Sequence, residues 1–251
     1  MVEDKKVVIV TGSSSGIGAA LVRGFAGKGD HVVINYLKSE EAALKLCTEI
    51  NARHGPGTAL ALKADVSRRS DVQWLFSQVI RKFDKVDVLV NTAGLNIDRP
   101  FLEMTDEDWS TVLETILTGT FICSQEFARC YRGKAGNIIN IGAVTAIRGR
   151  KSGVNYCSAR AGVLTLTKCM ALELSPKIRV NCVTPGYINT EEVMERYHLN
   201  EKENLERALS GIPMSRLGST EDVFQVVDFI VNTANYVTGQ NYFVDGGSYM
   251  H

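Results

Sequence analysis

The chain has 251 residues, 45% of them hydrophobic and 22% charged, a globular composition long enough to bury a large core without staples. Lysine plus arginine equals aspartate plus glutamate at 28 each, which argues against nucleic acid or an anionic membrane as partner. Six scattered cysteines without a Cys-x-x-Cys pair read as reduced thiols of a cytoplasmic protein, four separated histidines give no metal-ligand spacing, and no apolar run reaches the roughly 18 residues of a membrane span.

The opening MVEDKKVVIVTG runs straight into a strand and leaves no apolar core for a signal peptide. KVVIV (6–10) begins a series of β-branched runs: HVVINY (31–36), TALALKA (58–64), VDVLVN (86–91), NIINIG (137–142), IRVNCV (178–183) and NYFVDG (241–246). Helical spacing fills 16–28, 39–54, 70–83, 106–132, 154–175 and 219–232. Strands that are apolar throughout are buried on both faces. Their alternation with helices predicts a single α/β domain over 1–251, a Rossmann-type doubly wound sheet of about seven parallel strands with helices on both faces. Residues 189–212 break the rhythm, being polar and helix-prone. They read either as a surface helix pair or as a substrate lid, and their position after a strand's C-terminal end favours the lid.

The first strand turn, TGSSSGIG, carries Gly12, Gly16 and Gly18 ahead of a helix. Glycine there permits a sharp turn and close approach of backbone to a pyrophosphate, and the helix start favours an anion. Gly12, Ser14, Ser15, Gly16, Ile17 and Gly18 are therefore candidate dinucleotide contacts. At the end of the second strand stands Asn35, then Tyr36, with Lys38 and Ser39 beyond and no carboxylate to grip a ribose 2′-hydroxyl. That favours NADP(H) over NAD(H). Asp65 and Val66, closing the third strand, suit an adenine amino group and ring. Asn91 in VNTAG would tie strands together at the switch point, with Ala93 and Gly94 leaving space beside a ribose.

These motifs, in order, with Tyr156 and a cation four residues on, NCVTPGYINT and YVTGQNYFVDGG, resemble the short-chain dehydrogenase/reductase family over essentially the whole chain. The resemblance is nearest to the β-ketoacyl carrier-protein reductases and similar NADPH ketoreductases. It implies a Ser-Tyr-Lys triad extended by an Asn, with Tyr as proton donor, Lys lowering its pKa and holding the nicotinamide ribose, Ser binding the carbonyl oxygen and Asn anchoring a relay water. At those positions the chain has Tyr156, but Arg160 for Lys, Ala143 for Ser and Ile116 for Asn. Arg160 keeps a charge yet cannot pass a proton on. Ala143 removes an oxyanion donor, typically worth roughly 10²–10³ in rate. Thr145 could lend a hydroxyl, since alternate positions of an extended chain face alike. Cys157 adjoins Tyr156 without a partner to activate it.

By the same resemblance Pro185, Gly186, Ile188 and Thr190 close over the nicotinamide, and the family's assembly implies a homotetramer, or a heteromer with an active homologue. Arg148, Arg150 and Lys151 are either a solvated loop or a site for an anionic or phosphopantetheine-borne substrate; Lys134 and Lys177 would suit a carrier-bound one. Three readings stay open: a reductase working through Tyr156 and Arg160 on a small-molecule or carrier-bound carbonyl, a noncatalytic cofactor-binding subunit, and a non-redox enzyme on the same scaffold. None calls for a metal, nucleic acid or membrane.

Overall fold

Valine and isoleucine fill the strands because neither sheet face meets water. The computed structural model describes residues 5–250; residues 1–4 of the opening stretch and His251 of the tail lie outside the described residues. The strands are Val7–Thr11 (β1), His31–Tyr36 (β2), Ala59–Lys63 (β3), Val88–Asn91 (β4), Gly136–Ile141 (β5), Ile178–Pro185 (β6) and Asn241–Val244 (β7). They form one parallel sheet in the order β3-β2-β1-β4-β5-β6-β7. Strand succession reverses between β1 and β4, where Thr11 stands opposite Asn91. In open α/β sheets such a reversal opens a crevice at the strands' C-terminal ends.

The helices are Gly16–Gly27 (α1), Glu40–His54 (α2), Arg69–Phe83 (α3), Asp106–Leu113 (α4), Gly119–Cys130 (α5), Thr145–Arg148 (α6), Val154–Leu174 (α7), Glu191–Arg196 (α8), Lys202–Ser210 (α9) and Thr220–Asn232 (α10). The two-residue period of the strands sorts side chains between two cores. Val8, Val10, Val32 and Ile34 pack with Phe25 of α1, Leu46 of α2 and Val227 of α10. Val7, Ile9, Val33 and Leu89 pack with Phe76 of α3, Phe127 of α5 and Ala171 of α7.

Three boundaries depart from the sequence reading. The helix expected over 106–132 is interrupted by a π turn at Glu114–Thr118, with Ile116 inside it, and ends at Cys130. The Thr120 hydroxyl donates to the Ile116 carbonyl at 2.6 Å, satisfying one of the groups the wider turn frees. β6 runs on to Pro185 because β7 pairs with it that far. β7 itself stops at Val244, where Asp245 turns its carboxylate to the Gly247 and Tyr249 amides.

Candidate active site

Beyond the C-terminal ends of β1, β4, β5 and β6 lies a cavity of about 1410 Å³. Single ligand pockets run to about 300–1,000 Å³, so there is room for a dinucleotide and a second molecule. Gly12, Ser15, Gly16, Ile17, Gly18, Gly94, Ala143, Tyr156, Arg160, Pro185, Gly186, Ile188 and Thr190 all line it. Thr92 of the VNTAG stretch lines it too, and Thr11 Oγ1 accepts from the Thr92 and Ala93 amides at 3.1 and 3.2 Å, lacing β1 to β4.

The turn after β1 shows why glycine stands there. Gly12 has φ +59°, and a Cβ on it would lie 2.7 Å from Ala93 Cα. Ser15 precedes α1 without a side-chain cap, so the first-turn N–H groups remain free for an anion. Ser14 faces a smaller recess beside Ser15, Gly16 and Lys45.

Other expected contacts sit elsewhere. Asn35, expected at the cofactor, has its side chain buried beneath the glycine turn. Its Oδ1 accepts from the Gly12 amide at 3.1 Å and its Nδ2 donates to the Ala64 and Leu62 carbonyls at 3.0 and 3.4 Å. A side chain at the strand end points inward or outward by register, which residue type alone does not reveal. Lys38 and Ser39 are exposed past β2, and Ser39 makes no capping bond. Asp65 accepts from the Ser67 amide and hydroxyl at 3.0 and 2.7 Å, and Val66 packs against Gly119. Asn91 is buried in the sheet and donates to Ser124 Oγ at 3.1 Å and Asn140 Oδ1 at 2.9 Å.

At the cavity floor Arg160 is 5% exposed. Its Nη1 donates to the Ile141 carbonyl at 2.6 Å, its Nε has no partner, and no carboxylate pairs with it among the described residues. Gly94 makes room for it, since a Cβ there would lie 2.5 Å from Nη2. A buried cation lacking a counter-charge is costly unless a ligand completes it. Tyr156 lies against this group, its ring centroid 5.4 Å from the Arg160 guanidinium and 5.4 Å from that of Arg150. Asn155, fully buried, donates to the Ile97 and Asp108 carbonyls and accepts the Tyr156 amide at 2.7 Å, pinning the start of α7. Ile116 is fully buried among Val112, Ala159 and Val163, and offers no side-chain polar group. Ala143 lines the cavity without a donor. Residues 145–148 coil into α6, so the extended alternation expected there does not hold, yet Thr145 also lines the cavity.

The loop after β5 is not free. Arg150 forms a fork with Asp98 at 2.6 and 2.6 Å, so it is already paired. Arg148 lies 5.3 Å over the Tyr249 ring, and Lys151 is exposed. Segment 189–212 forms α8 and α9, and Glu192, Arg196, Tyr197, Asn204 and Arg207 from it line the cavity. Tyr187 and Tyr197 meet edge to face at 5.0 Å, and burial pushes the Tyr197 phenol up. Nothing in the local sequence marks Asn96 or Asp98, because their partners Glu192 and Arg196 lie 96 and 98 positions away. Burial also pushes the Cys123 and Cys182 thiols up to about 12, which leaves them inert.

A doubly wound sheet, a glycine turn at its switch point and a tyrosine beside a buried cation define a dinucleotide-fold oxidoreductase scaffold. Residues 12–249 match the family described as enoyl-(acyl carrier protein) reductase. The chain is 39% identical over 249 residues to the 3-oxoacyl-[acyl-carrier-protein] reductase of Synechocystis sp., covering 98% of this chain and 97% of the relative. It is 36% identical over 248 residues to 3-oxoacyl-[acyl-carrier-protein] reductase FabG of Staphylococcus aureus, with 98% of each covered. The FabG of Staphylococcus epidermidis is 34% identical over 248 residues. The chain belongs to the short-chain dehydrogenase/reductase family, as a ketoreductase-like member.

Proposed function

We propose that this protein is an NADP(H)-dependent reductase of a carbonyl substrate, acting through Tyr156 and Arg160. The observation that carries the reading is the Tyr156 ring flanked by two guanidiniums, one of them buried without a counter-ion, in the cavity the glycine turn enters. A nicotinamide dinucleotide bound there supplies hydride. Gly12, Ser15 and the first turn of α1 suit its pyrophosphate, and the free Arg160 Nε suits a ribose hydroxyl. Exposed Lys38 and Ser39, and the lack of a carboxylate at the end of β2 itself, favour a 2′-phosphate.

The Tyr156 phenol donates its proton to the carbonyl oxygen as negative charge develops there. Arg160 stabilises the phenolate that remains. Arg160 cannot resupply the proton and Ile116 cannot hold a relay water, so the phenol is reprotonated from the solvent side of the cavity. Thr145 is the hydroxyl in the cavity placed two residues from Ala143 to assist the oxygen. The relatives' carrier-linked names support a 3-oxoacyl thioester as the first substrate to try; Lys134 and Lys177 precede β5 and β6, at the opposite strand ends from the cavity, and lend it no support within this chain. Phe121 and Leu172, exposed at 40% and 83% on α5 and α7, support assembly through those helices as a homotetramer or with an active homologue.

Ala143 and Ile116 favour a second reading, a cofactor-binding subunit that does not turn over. NADPH oxidation with 3-oxoacyl thioesters separates the two. We expect slow turnover that Tyr156→Phe abolishes and that Ala143→Ser raises by about 10². No turnover, even after Ala143→Ser, Ile116→Asn and Arg160→Lys are combined, overturns the reductase reading and leaves the cofactor-binding subunit and a non-redox enzyme.

A further inference from the structure

Five side chains from three separate segments close a ring at the cavity mouth. Asp98, after β4, accepts both arms of the Arg150 fork and the Arg196 Nη1 at 2.8 Å. Arg196 Nε donates to Glu192 Oε1 at 2.5 Å, and the same oxygen accepts Asn96 Nδ2 at 3.2 Å. Asn96 Oδ1 in turn accepts from Arg150 Nη2 at 2.9 Å. The ring thus joins the loop after β4, the loop after β5 and α8 of segment 189–212. Its Arg150, Asp98 and Arg196 side chains are only 15%, 28% and 22% exposed, so the pairs are better shielded than ordinary surface bridges. Arg150 is the member that reaches the chemistry, since its guanidinium also lies over the Tyr156 ring. Gly153 leaves space for this fold-back, because a Cβ there would lie 2.6 Å from Arg150 Cζ.

We propose that Arg150 is a positioning residue for Tyr156, and that Asp98 couples it to segment 189–212, so that closing this lid fixes the phenol. Two cations share one carboxylate. When Arg196 leaves with the lid, Asp98 is free to follow it or to reorient, and Arg150 loses its fixed seat above the ring. When the lid closes, both ion pairs on Asp98 tighten and the phenol is held between Arg150 and Arg160. The mouth therefore recognises its own closed state rather than an anionic substrate group. The importance of Tyr156 rests on the reductase reading, whereas the coupling is measurable without turnover.

The test uses the full-length protein with ¹³C-labelled tyrosine, the Tyr156 ring resonance being assigned by its loss in Tyr156→Phe. Hydrogen exchange over 191–210 is followed in parallel. We expect Arg196→Gln and Glu192→Gln each to speed exchange of that segment, Arg196→Gln by about tenfold or more for the loss of a charge-assisted bond. Both should also move the Tyr156 resonance, although neither residue touches that ring, and Arg150→Gln should move it most. Arg216→Gln, which breaks a distant ion pair with Asp222, should move neither. The proposal is overturned if the segment loosens while the Tyr156 resonance stays, or if both stay unchanged in the two lid variants. A wild-type protein without NADPH turnover would sink the reductase reading and leave this result intact.

Discussion

Asn35 shows how a residue can shape a turn from beneath it. Its amide fixes the Gly12 amide on one side and the Ala64 carbonyl on the other, and its own backbone N–H reaches Ser13 Oγ at 3.2 Å. The bonds to the Leu62 and Ala64 carbonyls are buried, so removing the amide strands groups that water cannot reach. Asn35→Ala should destabilise by roughly 2 kcal/mol, lowering Tm by about 6 °C. It should also weaken NADPH binding, because the turn it holds is the one proposed to meet the pyrophosphate. Thermal melts and fluorescence titration check the two effects together; normal affinity alongside a lowered Tm would mean the turn holds its shape unaided. Arg160 poses the converse case. The motif spacing placed it beside Tyr156, but only packing shows that it lacks a carboxylate and keeps a free Nε.

At the scale of elements, α10 illustrates a cap whose contribution depends on pH. Ser219 Oγ accepts the Asp222 amide at 3.1 Å, while the Asp222 carboxylate accepts the Ser219 amide at 2.6 Å and a fork from Arg216 at 2.8 and 3.0 Å. The Arg216 hydrogen bond, then the Ser219 amide, hold the Asp222 carboxyl well below the usual carboxylate range. Its folded pKa is thus lower than its unfolded value of about 3.9. The stabilisation is therefore complete above that value and is lost as pH falls through the folded one. Asp222→Asn should lower Tm by about 3 °C at pH 7, for a cap worth about 1 kcal/mol. The gap from wild type should narrow below about pH 4, and a gap that widened on acidification would contradict the assignment. Asp98 carries the same sign: burial pushes its carboxyl up, but Arg150 and then Arg196 outweigh this and hold it below the usual range. The element boundaries were legible wherever apolar runs met glycine or a cap. The π turn at Glu114–Thr118 was not, because one extra residue in a helical turn leaves the local pattern of ETILTGTF helical.

For the whole molecule, the sheet order decides where a ligand can enter and what it stabilises. The glycine turn and the Tyr156 helix come from opposite ends of the chain's first 160 residues and meet only because strand succession reverses at β1 and β4. A dinucleotide spanning that reversal binds the folded state alone. At a hundred times its dissociation constant it should add about 2.7 kcal/mol, raising Tm by ~8 °C. With Lys38 and Ser39 receiving a 2′-phosphate, NADPH should raise Tm more than NADH at equal concentration. Equal shifts would remove the 2′-phosphate assignment, and no shift with either would remove the cofactor. Among the described residues no helix is long and apolar enough to cross a membrane, and no group of three His, Cys, Asp or Glu side chains could hold a metal ion.

The sequence by itself determined the doubly wound sheet, the glycine turn and the spacing of Tyr156 and Arg160. Each is a local pattern: two-residue and 3.6-residue periods, turn chemistry and spacing within a single helix. Only the tertiary structure decided that Asn35 faces inward, that Arg150 is already paired, and that Asp98, Glu192 and Arg196 meet at the cavity. Charge pairing between residues 52 and 98 positions apart leaves no periodic trace, since the attraction depends on distance in space and the chain reports only distance along itself.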